Sequence, residues 1–168
     1  MKRRIALLAV SLLAVLLVAA TSYGSHDDRA ILEFDVMAPV MEPFTGATNA
    51  IRGVPGGGLP WEIDAAKGEL RSDGRLEVEV EGLVLARRAP VPEALRGVNP
   101  IASFKAIVSC LTADGGSAAT VNVSTALAPA SSSGDAKIED SVELPSPCFA
   151  PIVFVTSPTG MWFAVTGH

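Results

Sequence analysis

From Ala30 onward, apolar and polar side chains trade places with a period of two, the repeat of a strand that buries one face and wets the other. Leu32, Phe34 and Val36 alternate with Glu33 and Asp35, and Leu76, Val78 and Val80 alternate with Glu77, Glu79 and Glu81. Phe104, Ala106, Val108 and Cys110 alternate with Lys105, Ile107 and Ser109, so this strand has a second face of mixed character. Val121 and Val123 alternate with Asn122 and Ser124. Ile138, Val142 and Leu144 alternate with Lys137, Glu139, Ser141 and Glu143, and Asp140 falls on the apolar side, where a bulge is expected. No stretch after Ala30 carries a sustained 3.6-residue apolar stripe, so helices cannot supply the core.

Turn residues separate the strands. Ser72-Asp73-Gly74, Asp114-Gly115-Gly116-Ser117, Ser131 to Asp135 and Ser157-Pro158-Thr159-Gly160 each stand between alternating runs and read as hairpin or connecting turns. Trp162-Phe163 sits in a last strand that is apolar on both faces, which places it centrally in a sheet. Two segments cannot be central strands. Pro39 to Pro60 holds four prolines and Gly56-Gly57-Gly58, and Ala89 to Pro100 holds three prolines with room for one helical turn at Pro92 to Arg96. The expected fold is an all-β antiparallel sandwich, Ig-like or jelly-roll-like, with a small β-barrel as the alternative.

The first 20 residues differ from the rest. Lys2, Arg3 and Arg4 precede an apolar run from Ile5 to Ala20, and Val18-Ala19-Ala20 suits cleavage after Ala20. This run of 16 residues, broken in character only by Ser11, falls short of the roughly 20 that span a bilayer as a helix, so the segment reads as a secretory signal peptide. The expected organisation is a signal peptide over 1–20, a flexible tail over 21–29 and one β-sandwich domain over 30–168. Export implies a secreted, extracellular or cell-envelope location, with membrane contact only through the leader before it is cleaved. It would also bring the only two cysteines, Cys110 and Cys148, into an oxidising compartment, where one disulfide should link them and clamp the two layers. Removing the leader takes three of the 13 positive charges, leaving ten against 18 negative ones, a net of −8. Such a body lacks the phosphate-neutralising patch that nucleic-acid binding requires.

The stretches Leu144-Pro145-Ser146-Pro147-Cys148-Phe149-Ala150-Pro151-Ile152-Val153-Phe154-Val155 and Trp162-Phe163-Ala164-Val165-Thr166-Gly167, with Arg52-Gly53-Val54-Pro55-Gly56-Gly57-Gly58-Leu59-Pro60-Trp61, resemble small exported bacterial proteins of no assigned function. The resemblance implies export from a bacterial cell. It implies no activity, no cofactor and no catalytic residue.

Catalytic signatures are sparse. The two histidines are His26, in the expected tail, and His168, the last residue, so no imidazole is placed to serve a nucleophile. Ser-x-x-Lys spacing, an EF-hand pattern and a Gly-Lys-Ser/Thr phosphate loop do not occur. Gly24-Ser25-His26 would chelate copper only if processing left Gly24 as the first residue. Paired carboxylates among Glu77, Glu79, Glu81, Glu139 and Glu143 could serve glycoside hydrolysis if two of them met across a cleft. Otherwise they form a solvated sheet face. The Gly-rich connection could present a binding loop with Arg52 and Trp61 at its edges. Trp61 also alternates with Glu62, ahead of Ile63 and Ala65, as a core residue would. The functional expectation is an exported, non-catalytic module with a binding or structural surface role, toward an unidentified extracellular ligand or surface component and with no cofactor. The alternatives are an extracellular carboxylate-based hydrolase and, further off, a metal carrier.

Overall fold

The computed structural model describes residues 28–166. The leader over 1–20, the first part of the tail, His26 and His168 lie outside the described residues. The chain forms strands β1 (Ala30–Phe34), β2 (Met37–Pro39), β3 (Trp61–Glu62), β4 (Ala65–Arg71), β5 (Arg75–Glu81), β6 (Val84–Leu85), β7 (Ser103–Asp114), β8 (Ser117–Ser124), β9 (Ala128–Pro129), β10 (Ala136–Ser141), β11 (Phe149–Thr156) and β12 (Trp162–Thr166). One 3-10 turn, Glu93–Leu95, falls inside the Pro92 to Arg96 segment. All strand pairings are antiparallel. A four-stranded sheet runs β1-β4-β5-β10. A six-stranded sheet runs β2-β12-β11-β7-β8, with β9 also on β7, and β3 pairs β6 in a short ribbon. The two large sheets pack face to face and do not close into a barrel.

The alternating positions fill the space between the sheets. Leu70, Leu76, Val78, Val80 and Ile138 come from the four-stranded sheet; Phe104, Ala106, Val108, Val153 and Val155 come from the six-stranded one, and all are buried. An aromatic cluster closes one end. The Trp61 ring stacks on Phe163 at 3.9 Å, and both rings meet Phe104 nearly edge-on. Each such pair adds about 0.5–1.5 kcal/mol beyond the area it buries.

Several local expectations are corrected. Val36 is 62% exposed because β1 stops at Phe34; the chain then crosses to the other sheet and buries Met37 instead. Ala65 is exposed and Ala66 buried, because the chain bends at Asp64 between β3 and β4 and the inward register restarts. Asp140 marks no bulge: β10 pairs β5 in unbroken register from Ala136 to Ser141. Its carboxylate instead accepts the Ala126 N–H at 2.7 Å and the Ser141 N–H at 2.8 Å, and so holds the link between β8 and β9. Four short strands (β2, β3, β6 and β9) do not stand out from alternation, because two or three residues cannot display a period.

Cys110 and Cys148 are bonded, with 38 residues of separation. The bond does not clamp one layer to the other. Cys110 lies on β7 and Cys148 directly precedes β11, the neighbouring strand of the same sheet, whereas the Ig plan ties sheet to sheet. The loop it closes predicts a loss of about 4 kcal/mol on removal, by chain entropy alone. In a urea unfolding series, the Cys110→Ala/Cys148→Ala protein should therefore show a markedly lower midpoint than the oxidised chain, and the oxidised chain should bind no alkylating reagent.

Candidate functional site

The two sheets differ in what lies over their outer faces. The segment between β2 and β3 folds down across the outer face of the six-stranded sheet. Phe44 packs against Trp162, which in turn meets Phe154. Gly57 N–H donates to the Trp162 carbonyl at 2.8 Å, and Trp162 N–H donates to the Pro55 carbonyl at 2.9 Å. Gly56 and Gly57 are buried, and a methyl group on Gly56 would strike the Phe44 carbonyl. The Gly-rich run is thus a tight packing element. Beneath it Ile107, Ser109, Ile152, Phe154 and Thr156, all on outward positions, are buried.

Arg52 fastens this cover. It occupies a tight turn with φ +48°, followed by Gly53 at +80°, and Ile51 and Val54 bridge across it. Its guanidinium donates to the Ser109 carbonyl at 2.9 Å and to the Ala150 carbonyl at 2.8 Å. Both carbonyls lie where the β7–β11 ladder shifts register between Phe149 and Ile152, and Ala150 itself has φ +42°. Arg52 thus supplies donors that the interrupted ladder cannot. The Arg52 carbonyl accepts Asn122 Nδ2–H at 3.0 Å, which ties the same turn to β8. Trp61, the other residue expected at the loop edge, is 3% exposed within the inner aromatic cluster. The Ala89 to Pro100 segment is largely exposed but anchored: Val91 is buried, Gly97 N–H bonds the Leu85 carbonyl, and the buried Asn99 side chain bridges Ile101 and Ser131. Replacing Arg52 with Met keeps most of the apolar stem but strands two carbonyls. It should lower stability by about 2 kcal/mol, read as a shift of the urea midpoint. Arg52→Lys, which lacks the planar fork, should recover only part of that loss.

Among the described residues the four-stranded sheet has no such cover, and its outward positions carry charge. Strand register lines up Glu33, Glu69, Glu77 and Glu139 directly opposite one another across β1, β4, β5 and β10. The next row is Lys67, Glu79 and Lys137. On the other side lie Arg71 and Arg75, both paired with Asp28. Ion pairs join the rows: Lys67 to Glu79 at 2.9 Å, Arg71 to Glu69 at 2.5 Å, and Lys137 to Glu77 at 3.0 Å and to Glu139 at 2.7 Å. A shallow groove of about 650 Å³ runs along this face between Glu33, Lys67, Glu69, Glu77 and Glu79, with Phe34 and Gly68 in its floor. Gly68 is needed there, because a methyl group would run into the Phe34 ring and the Glu77 carbonyl. Glu77, Glu79 and Glu139 are readable as a solvated face from alternation. Glu69 and the four-residue row are not, although the Ser72–Gly74 turn already implies that Glu69 faces Glu77.

The displaced carboxylates all move down. Lys67 holds Glu79 low, chiefly through its hydrogen bond. The Arg75 N–H holds Asp73 low; the Ser133 hydroxyl and Gly82 N–H do the same for Asp135, and the Ala126 and Ser141 N–H groups for Asp140. A carboxyl that titrates lower when folded stabilises the fold above its unfolded value, 3.8 for Asp, and loses that contribution as pH falls through the lower folded value. Urea midpoints should therefore hold steady from about pH 7 to 5 and drop below about pH 4. The combined Asp135→Asn/Asp140→Asn protein should show a shallower acid-side drop.

Among the described residues, no helix is long and apolar enough to cross a membrane, and no group of three or more His, Cys, Asp or Glu is arranged to hold a metal ion. No family model, curated protein or solved structure matches this chain.

Proposed function

We propose that this protein is an exported bacterial binding module, non-catalytic, whose working surface is the charged outer face of the four-stranded sheet and whose partner is a cationic extracellular or envelope component. The single observation that carries the reading is the row Glu33-Glu69-Glu77-Glu139. Like charges placed directly opposite on a sheet cost stability; Arg71 and Lys137 offset part of that cost at Glu69, Glu77 and Glu139, but the four carboxylates of the row outnumber these two cations. The row lies on a sheet face that no other described segment crosses, whereas much of the other sheet's outer face is covered. The leader pattern and the disulfide support export.

A carboxylate-based hydrolase is less well supported. It needs one carboxyl held above its ordinary range as a general acid, and the displaced ones here are all held below it. The groove is also open to water along its length, where charge interactions with a reacting group are screened.

Titration with a fluorescent oligolysine peptide tests the proposal. Binding should weaken steeply with added salt, and Glu33→Gln/Glu69→Gln/Glu77→Gln should weaken it at least tenfold while the protein stays folded. Glu33→Lys should raise stability by about 0.2–1 kcal/mol, because it turns a like pair with Glu69 into an opposite one, and should weaken binding at the same time. Salt-independent binding, or equal affinity in the triple variant, would remove the support for this face.

A further inference from the structure

A sheet edge exposes unpaired backbone donors and acceptors, and soluble proteins guard such edges with charge, proline, bulges or brevity. Three of the four edges here are guarded. β1 has five residues, a register break between Ala30 and Leu32, and Glu33 near its end. β2 has three residues and ends in Pro39. β10 carries Lys137, Glu139 and Asp140, and Ala130 bridges its first residue. The fourth edge, β8, has none of these devices. Its eight residues, Ser-Ala-Ala-Thr-Val-Asn-Val-Ser, contain no charge and no proline. They pair β7 in continuous register from Ser117 to Ser124. Among the described residues, no backbone hydrogen bond other than those to β7 reaches this strand.

We infer that β8 pairs antiparallel with β8 of a second copy of this chain, joining the two six-stranded sheets edge to edge about a two-fold axis centred at Val121. The residues of the strand suit this occupant. In the register centred on Val121, each inward residue meets an inward residue and each outward residue an outward one, as continuity of the pleat demands. Val121 then faces its own copy and Ala119 faces Val123 on the inner side. On the outer side Thr120 faces Asn122, and Ala118 faces Ser124. On the inner side apolar meets apolar, on the outer side the Thr120 hydroxyl meets the Asn122 amide and Ala118 meets the small Ser124, and no charge opposes another.

Two further observations point the same way. Ala119, Val121 and Val123 point inward yet remain half-buried, so the overhang of β8 leaves apolar surface that a second strand would cover. The chain has a net charge of −5, and this strand carries none of it, so two copies can meet along β8 with no charge of the strand opposing another. Outward Leu111 (40% exposed) and Phe149 (60% exposed) continue the Thr120 row across β7 and β11. In the joined sheet they lie about two to three strand spacings, roughly 10–15 Å, from Asn122 of the other copy, which carries the Arg52 turn on that same face. A two-fold pairing is self-complementary and closes at two copies, so it uses up the edge. This assignment does not depend on the acidic-face reading.

Sedimentation velocity of the purified chain across the micromolar range tests it. The wild-type protein should pass from monomer to dimer with concentration and form nothing larger. Thr120→Lys, at an exposed position, should raise the dissociation constant at least tenfold with an unchanged circular dichroism spectrum. Ser141→Lys on the guarded β10 edge should leave it unchanged. In hydrogen exchange, alternate amides of Ala118 to Ser124 should gain protection as the wild-type concentration rises, a reading that needs no variant. A monomer at every concentration would overturn the inference. So would a dimer indifferent to Thr120→Lys, or exchange at β8 that does not change with concentration, including the case of a monomer whose edge takes only unrelated extended peptides.

Discussion

The six-stranded sheet is buried twice, and the rest of the architecture follows from how that is achieved. Its inner face packs on the four-stranded sheet, as in any sandwich. Its outer face carries Ile152, Phe154, Ile107 and Trp162, too much apolar surface to leave in water. The segment between β2 and β3 covers it, and a cover without regular strands must satisfy its own backbone groups. Arg52 solves two such problems at once. One guanidinium reaches the two carbonyls orphaned by the β7–β11 register shift, and its own carbonyl takes the Asn122 amide. Prolines and glycines that look like a flexible connection therefore serve close packing: proline needs no donor partner, and glycine lets backbone approach backbone.

The two outer faces differ in cover and in charge, and the proposed working surface follows from that difference. Packing consumes one outer face; the other holds a lattice of rows alternating in charge, with four glutamates abreast in the middle. Surface ion pairs of this kind contribute little individually, so stability does not explain the lattice. It is a fixed pattern of acidic and basic rows on a rigid support, and under the proposal above such a pattern serves partner selection more than it holds the fold. The disulfide acts elsewhere. It ties β7 to the start of β11 beside the interrupted ladder, where the six-stranded sheet is least regular.

Edge management divides the molecule in the same way. Three edges end in brevity, bulge, proline or charge, while β8 offers eight neutral residues in regular register. The strand has Ala119, Val121 and Val123 on its inner side and Ala118, Thr120, Asn122 and Ser124 on its outer side, a set that can lie against its own reverse without opposing charges.

Alternation and turn chemistry were enough to determine the all-β class, most of the inward residues, the four turns and the pairing of the two cysteines, because each is a local rule with a short period or a forced chemistry. The Ser72–Gly74 turn even specifies that Glu69 faces Glu77 and Lys67 faces Glu79, since a hairpin sets its own register. Only the tertiary structure decided that β1 brings Glu33, and β10 brings Glu139, into the same row, because pairings between distant segments depend on which strands become neighbours. The same holds for Arg52: the Gly-rich connection suggested a binding loop, and packing made the residue a fastening for two carbonyls, whereas alternation had already offered Trp61 as core. It holds also for β8, whose residues read as an ordinary strand; that it ends a sheet with one side unpaired is a property of strand order, which no local pattern encodes.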